Sequence, residues 1–177
     1  MHWTIEVKIL PIAAVSGHLY LEIFDDKGQR VRQINGFACD PVTGQQKSVG
    51  VVGDFLRAYV DDSYVLCAGY NRDNHPHDGR VIYKGDEAGI RRAIKAMEEA
   101  AVKINAQNLS YWLFTQNSNS VFMHMLDVME GQLPIDRKAV GEMLNSRILL
   151  PGIGNHLPAP PSPKTPFKNP RPPRPGM

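Results

Sequence analysis

Apolar and polar residues alternate along much of the first half of the chain, which is the pattern of half-buried β-strands. Asp25–Gly28 supplies turn chemistry between two such segments, so we expect the second to return as an antiparallel partner of the first. Five segments are predicted as strands: 3–10 (WTIEVKIL), 17–25 (GHLYLEIFD), 29–37 (QRVRQINGF), 63–70 (SYVLCAGY) and 80–84 (RVIYK).

The hydrophobic period then changes to that of helices. Apolar residues at helical spacing predict a helix over 86–105, with Asp86 as its N-cap. Residues 109–116 (LSYWLFTQ) are a short aromatic strand or an extended lead-in to the next helix. Two more helices are predicted: one from the polar residues 117–120 (NSNS) through Glu130, ended by Gly131, and a short one within 136–150.

A break in composition after Leu150 divides the chain. Residues 151–177 are dense in proline and predict a disordered or polyproline II tail, which is either a spacer or a ligand for a module that reads proline motifs. Residues 1–150 form one domain in this interpretation. Because a β-rich antiparallel half precedes the helices, its predicted fold class is α+β.

Charge and hydropathy exclude several classes of protein. The net charge of +2 owes four positive charges to the tail, which has no acidic residue, so the remainder is slightly acidic. We therefore expect no nucleic-acid partner. No stretch is long enough to span a membrane, and the first residues do not form a signal peptide. This predicts a cytoplasmic protein, or one exported without a conventional signal peptide.

Cysteine and histidine positions do not predict a metal centre or a cofactor. Cys39 is predicted as a loop thiol and Cys67 as a small buried apolar residue, and neither has the neighbours of a catalytic cysteine. His75 and His77 form a pair without a nearby third ligand, which favours a solvated loop over a zinc site. His124 is expected to pack or to be partly exposed, facing away from the start of its helix.

The four polar residues at 117–120 are the strongest sign of chemistry. One helix cap needs one or two of them, so the segment has more than a cap requires. The first N–H groups of a helix have no partner within it and carry partial positive charge, which suits an oxyanion. Ser118 and Ser120 lie in that first turn as candidate nucleophiles. His18, on a predicted strand, is the best-placed general base.

These residues carry a resemblance. A histidine on an early strand, followed much later by a Tyr-x-Leu-x-Thr-x-Asn frame at a helix start, resembles the circularly permuted papain-like superfamily. That group includes permuted NlpC-like amidases and lecithin:retinol acyltransferase-like enzymes. The frame falls on Tyr111, Leu113, Thr115 and Asn117, and the similarity spans roughly residues 16–131. Ser118 occupies the position of the family's cysteine.

The resemblance implies a role for each site residue. Ser118 would be the nucleophile and His18 the base, with either Gln33 or Asn35 as the amide that orients the imidazole. Helix-start N–H groups would hold the oxyanion. Asn117 would cap and position the turn, and Asn119 or Ser120 would line a substrate-binding cleft. Glu22 is a rival partner for His18, although we expect it to face the surface.

Three interpretations of Ser118 stay open: an active serine nucleophile, an inactive papain-like pseudoenzyme that acts as a binding module, and an inactivating replacement of a cysteine. The first predicts a Ser–His amidase, peptidase or acyl hydrolase, or an acyltransferase. The resemblance implies a peptide, protein or lipid acyl substrate. Because many bacterial relatives are secreted effector toxins, it also implies an inhibitor (immunity) protein as partner.

Overall fold

The computed structural model describes residues 2–12, 16–47, 49–61, 78–145, 151–155 and 157. Six strands and three helices lie within these ranges, which confirms the predicted α+β class. In chain order the elements are β1 (Trp3–Ile12), β2 (Ser16–Phe24), β3 (Arg30–Cys39), β4 (Gln46–Lys47), β5 (Phe55–Asp61), β6 (Asp78–Gly85), α1 (Glu87–Ala106), α2 (Ser118–Glu130) and α3 (Arg137–Leu144).

The strands form one antiparallel sheet in the order β4-β3-β2-β1-β6, and β5 also pairs with β3. Four of the predicted strands are confirmed as β1, β2, β3 and β6, and β2 and β3 are antiparallel partners as expected. The turn between them is held by Asp25, whose Oδ1 accepts from Lys27 N and Gln29 N. The fifth predicted strand, 63–70, lies outside the described residues.

The three predicted helices are present. Asp86 caps α1 by accepting from Gly89 N at 2.7 Å, and α2 ends at Glu130 before the C-cap Gly131, as predicted. The short third helix, α3, is capped by Asp136. Within the described ranges, none of these helices combines the length and the apolar composition that crossing a bilayer requires.

Three segments differ from the sequence-based prediction, and one of them is the two-residue strand β4, which was not predicted. Of residues 109–116, predicted as a short strand or an extended lead-in, residues 112–116 form a hydrogen-bonded turn, since Trp112 N bonds Gln116 O and Gln116 N bonds Trp112 O. Ser110, before this turn, pairs with Phe55 of β5 in an isolated antiparallel bridge. The strand β5 was not predicted, although Leu56 and Ala58 alternate with outward-facing residues as a strand requires. It pairs with β3 from Gln33 to Cys39 and so takes one whole edge of that part of β3.

One face of the sheet carries the apolar core, and the helices pack on it. The closest approach is at Gly36 of β3, where an added Cβ would lie 2.7 Å from Val121 Cβ and 3.0 Å from Ser118 Cα. Both contact residues belong to the first turn of α2. Only a residue without a side chain lets this turn lie so close to the strand.

We therefore expect Gly36→Ala to lower the free energy of unfolding by about 1–3 kcal/mol, the usual cost of overpacking a core. The matched control is Gly141→Ala in α3, where an added Cβ meets nothing within 4 Å. That change should be neutral or stabilise by up to about 1 kcal/mol because alanine is the better helix former. Urea denaturation of the three proteins measures both effects, and equal stabilities for the two variants would contradict the close approach.

The first residues of the predicted tail contact the domain. Pro151 O accepts from Asn117 Nδ2 at 3.0 Å, Gly152 O accepts from Ser120 Oγ at 3.3 Å, and Leu157 is buried in the core. The division at residue 150 stays a prediction, and residues 158–177 lie outside the described part of the chain. These contacts nevertheless tie residues 151 and 152 to the start of α2.

Candidate active site

The candidate site lies where β2 and β3 separate. β3 pairs with β2 at Ile34 and with β4 at Ala38, and both partners lie on the edge opposite β5. Residues 35–37 of that edge therefore have no described strand beside them. The first turn of α2 lies at this gap, because Ser118 Cα packs against Gly36.

His18 and Asn35 face each other across the separating strands. His18 Nε2 and Asn35 Oδ1 are 2.9 Å apart, and both side chains are buried. The imidazole also stacks on the ring of Phe37, with centroids 5.5 Å apart. Because an amide oxygen only accepts, Nε2 carries the proton in this bond, and in the neutral ring Nδ1 is then the basic atom.

The other two candidate partners of His18 are placed elsewhere. Gln33 is buried opposite Glu22 in the strand register, and within the described residues its Nε2 has no hydrogen-bond partner. The expectation that Glu22 faces the surface is wrong. Its side chain is only 1% exposed and forms an ion pair with Arg30 at 3.2 Å, which compensates the burial of its charge. Asn35 is therefore the amide that bonds His18.

Asn117 and Ser120 form a capping box at the start of α2. Asn117 Oδ1 accepts from the N–H groups of Asn119 and Ser120, and Ser120 Oγ accepts from Asn117 N. Asn117 Nδ2 donates to Leu113 O, and Ser120 Oγ donates to Thr115 O at 2.9 Å. Asn117 thus caps and positions the turn as predicted. Ser120 is fully buried and holds the preceding turn, so its role in lining a cleft stays a prediction.

Asn119 joins the helix start to the strand that carries His18. Its Oδ1 accepts from Leu19 N at 2.9 Å, and its Nδ2 donates to Gly17 O and Pro151 O, both at 3.1 Å. One buried amide therefore bonds the backbone on both sides of His18. These bonds take the place of a strand partner for this part of β2, and the predicted cleft-lining role of Asn119 stays a prediction.

Ser118 is the one member of the four polar residues that is not buried. In the part of the chain that the structure describes, its Oγ has no hydrogen-bond partner. Its backbone N–H is likewise the one first-turn donor of α2 without a described acceptor, because those of Asn119, Ser120 and Val121 bond Asn117. A hydroxyl and an N–H donor are thus presented together at the gap, one residue from the amide that holds the His18 backbone.

Charge near this turn is balanced within the protein. Tyr111, just before the turn, has its pKa raised by burial and by the charge of Asp54. Burial opposes ionisation of Asp54, but hydrogen bonds from Lys47 and from Val51 N outweigh it and lower the pKa of Asp54. Lys47 lies 2.6 Å from Asp54 and 3.3 Å from Asp40. Lys47 thus forms ion pairs with both carboxylates.

The cysteines and the other histidines considered for catalysis or metal binding lie elsewhere. Cys39, predicted in a loop, is instead the buried last residue of β3, where its Sγ lies 3.1 Å from Tyr59 OH. His124 is partly buried on α2, as expected. Cys67, His75 and His77 lie outside the described residues. Among those that are described, no three His, Cys, Asp or Glu side chains are grouped as a metal ion requires.

Of the predicted site residues, the structure joins His18 to Asn35, whereas the role of Ser118 stays a prediction. Neither the bonds from Asn119 to β2 nor the contacts of Pro151 and Gly152 were predicted. The only available signal was the surplus of polar residues at a helix start, which does not say what each one bonds. No protein-family model, no curated protein and no solved structure matches the chain.

Proposed function

We propose that this protein is a hydrolase or acyltransferase that acts on an amide or related acyl bond, with Ser118 as nucleophile and His18 as general base. Ser118 Oγ attacks the carbonyl carbon while His18 Nδ1 takes its proton. The N–H of Ser118 stabilises the resulting oxyanion. The imidazolium then protonates the leaving amine, the acyl group stays on Ser118, and water or another acceptor removes it.

The observation that carries the proposal is the pair of bonds from Asn119 to Leu19 N and Gly17 O. They fix the first turn of α2 beside the backbone of His18. Side chains alternate between the two faces of a sheet, so the imidazole of His18 lies on the face opposite Leu19 and the core, and general-base catalysis requires it to reach Ser118 around the open edge of β2. Because Ser118 Oγ has no described partner, proton transfer requires the two side chains to come together when substrate binds. Catalytic hydrogen bonds are often long before substrate binds.

The identity of the third residue also supports the proposal. The bond from His18 Nε2 to Asn35 Oδ1 supplies the histidine–asparagine part of a nucleophile, histidine, asparagine order, with Ser118 as the proposed nucleophile. The same order, Cys-His-Asn, serves in papain-like proteases, so the amide is a sufficient orienting group in that chemistry. This agrees with the permuted papain-like relationship that we infer from the sequence.

The chemistry of Asn35 and Ser118 also favours a second function. Asn35 is neutral and cannot offset the imidazolium charge, and a serine hydroxyl is harder to ionise than a thiol. A serine in this setting is therefore a weaker nucleophile than a cysteine would be. The alternative is a papain-like pseudoenzyme whose cleft binds the acyl compound without cleaving it.

A fluorophosphonate probe distinguishes the two functions. We expect the probe to label Ser118, and we expect Ser118→Ala and His18→Gln to abolish labelling, because attack needs both the hydroxyl and the base. The matched control is Ser110→Ala, since Ser110 is exposed just before the turn at 112–116 but takes no part in the set. Intact-protein mass spectrometry measures the adduct, and folded protein that stays unlabelled would favour the binding module.

The biological setting follows from the resemblance alone. We infer a bacterial effector that acts in the cytoplasm or is exported, with a peptide, protein or lipid acyl substrate and an inhibitor protein as partner. The proline-rich segment would bind a reader of proline motifs.

A further inference from the structure

Exposed apolar side chains are concentrated at one end of the molecule. Among the described residues, nine large hydrophobic side chains are exposed, and six of them lie on two turns. These six define the apolar end: Val49, Val51, Val52, Trp112, Leu113 and Phe114. Exposed apolar patches of this kind mark surfaces that bind a partner or a membrane.

The two turns are neighbours in the fold. Tyr111 N bonds Asp54 O at 2.8 Å, and a Cβ added to Gly50 would lie 2.7 Å from the Tyr111 ring. The apolar end is therefore one continuous surface. It is also joined to the candidate site, because Asn117 and Ser120 hold the carbonyl groups of Leu113 and Thr115.

Five backbone carbonyl groups in the two turns of the apolar end are hydrogen-bonded within the protein. Besides the two carbonyls held by Asn117 and Ser120, Phe114 O accepts from Asn155 Nδ2 and Trp112 O accepts from Gln116 N. In the other turn, Val51 O accepts from Asp54 N. An exposed loop does not need this, since water can bond its carbonyl groups. A segment that enters hydrocarbon does need it, because each unsatisfied group there costs several kcal/mol.

Charge favours an uncharged lipid surface over a charged partner. Segments 49–53 and 112–116 contain no Asp, Glu, Lys or Arg. Among the described residues, Lys47 and Asp54, which flank segment 49–53 in the sequence, pair with each other, and Lys47 also pairs with Asp40. The side chains also protrude, with Phe114 74% and Trp112 50% exposed. Tryptophan is enriched at the boundary between lipid and water.

We propose that the apolar end inserts into the interface of a lipid surface through hydrophobic contacts. This binding goes beyond the proposed function and does not depend on it. If both hold, Ser118 acts at the lipid surface, because the turn that inserts is bonded to the turn that carries the nucleophile.

The test uses the fluorescence of Trp112 in the full chain carrying Trp3→Phe. Trp3 is buried, so its removal leaves an exposed tryptophan as the reporter. On adding phosphatidylcholine vesicles we expect the emission to shift to shorter wavelength and to be quenched by brominated lipid. Ser118→Ala added to this protein should respond equally, because insertion does not use the hydroxyl.

Sedimentation with vesicles measures the contribution of single side chains. We expect Phe114→Ser to weaken partitioning by about tenfold or more, and Val51→Ser by about threefold, because each removes apolar area from the bound state. The matched control is Val102→Ser on α1, where the valine is 70% exposed, against 60% for Val51. That variant should bind as the unmodified chain does.

Three results would overturn the inference. One is the absence of both the spectral shift and sedimentation with phosphatidylcholine. Another is binding only to anionic vesicles that is lost at high salt, since the basic residues of segment 158–177 would then explain it. The third is a spectrum already shifted without lipid in a protein that self-associates, which would make the apolar end a contact between copies. None of these results changes the expected labelling of Ser118.

Discussion

Replacing Ser118 by cysteine will produce a thiol that alkylates rapidly at a pH where ordinary protein thiols hardly react. Thiol reactivity follows the thiolate, and a helix N-terminus and a neighbouring imidazolium both lower a cysteine pKa. Ordinary cysteines have a pKa of about 8.5, whereas those in such settings reach about 3.5–7.5. At pH 6 we therefore expect the thiol of Ser118→Cys to alkylate at least about tenfold faster than a thiol without these neighbours.

The matched control for this experiment is Ser110→Cys, which places a thiol just before the turn at 112–116 and outside the first turn of α2. The rate of iodoacetamide modification is followed against pH, and peptide mapping separates each introduced thiol from Cys39 and Cys67. The midpoint for Ser118→Cys should lie at lower pH than that for Ser110→Cys. Combining Ser118→Cys with His18→Gln should move its midpoint upward, because only the contribution of the helix start then remains.

Two outcomes would remove the proposed pairing of Ser118 with His18. Equal midpoints for the two introduced thiols would mean that neither the helix start nor His18 acts on position 118. A lowered midpoint that His18→Gln leaves unchanged would assign the whole effect to the helix start. A serine that fails to react with the probe, together with an activated thiol in Ser118→Cys, would instead indicate a binding cleft built on catalytic geometry.

The fold could be predicted where burial repeats at a regular period. Ile5, Val7 and Ile9 alternate because one face of β1 packs on the core, and the apolar stripe of α1 follows the same logic. The strand β5 has the same alternation and was within reach of that reasoning. The turn at 112–116 was not, because its aromatic residues have strand propensity while its backbone bonds depend on Asn117, Ser120 and Asn155.

The site could be predicted only as a set of residues. Chemistry and resemblance selected His18, Asn35 and Ser118, but Gln33 suited the orienting role equally well until the strand geometry was known. Glu22 was expected at the surface because glutamate is seldom buried. Its burial depends on Arg30, which returns on the neighbouring strand and supplies the opposite charge. Sequence distance carries no information on such pairs.

Asn119→Ala will slow Ser118 labelling strongly and destabilise the fold as well. It removes three hydrogen bonds and leaves the buried Leu19 N–H without its acceptor. A buried group left unsatisfied costs about 1–3 kcal/mol, so we expect the free energy of unfolding to fall by about 2–4 kcal/mol. Without these bonds the first turn of α2 is no longer tied to the His18 strand. Labelling should then slow by about 100-fold or more, because displacing catalytic groups by about 1 Å can lower a rate by that factor.

Asn105→Ala separates loss of stability from loss of the site. Asn105 bonds the backbone of β5 as Asn119 bonds β2: its Oδ1 accepts from Ala58 N at 2.8 Å and its Nδ2 donates to Ala58 O at 2.9 Å. Asn105→Ala should also lower the free energy of unfolding by about 2–4 kcal/mol, because it leaves the backbone N–H and carbonyl of Ala58 without their hydrogen-bond partner. Labelling of Ser118 should stay normal, since β5 lies on the other edge of β3.

The comparison is made without denaturant, at a temperature where circular dichroism shows both variants to be folded, so that the labelling rate reports the site alone. Slow labelling in both variants would mean that Ser118 reactivity follows global stability, and the tie through Asn119 would then have no special role. Normal labelling in Asn119→Ala would show that His18 and Ser118 meet without it. A selective loss in Asn119→Ala is the result that makes the strand-to-helix amide part of the catalytic arrangement, because among the described side chains that amide bonds both neighbours of His18.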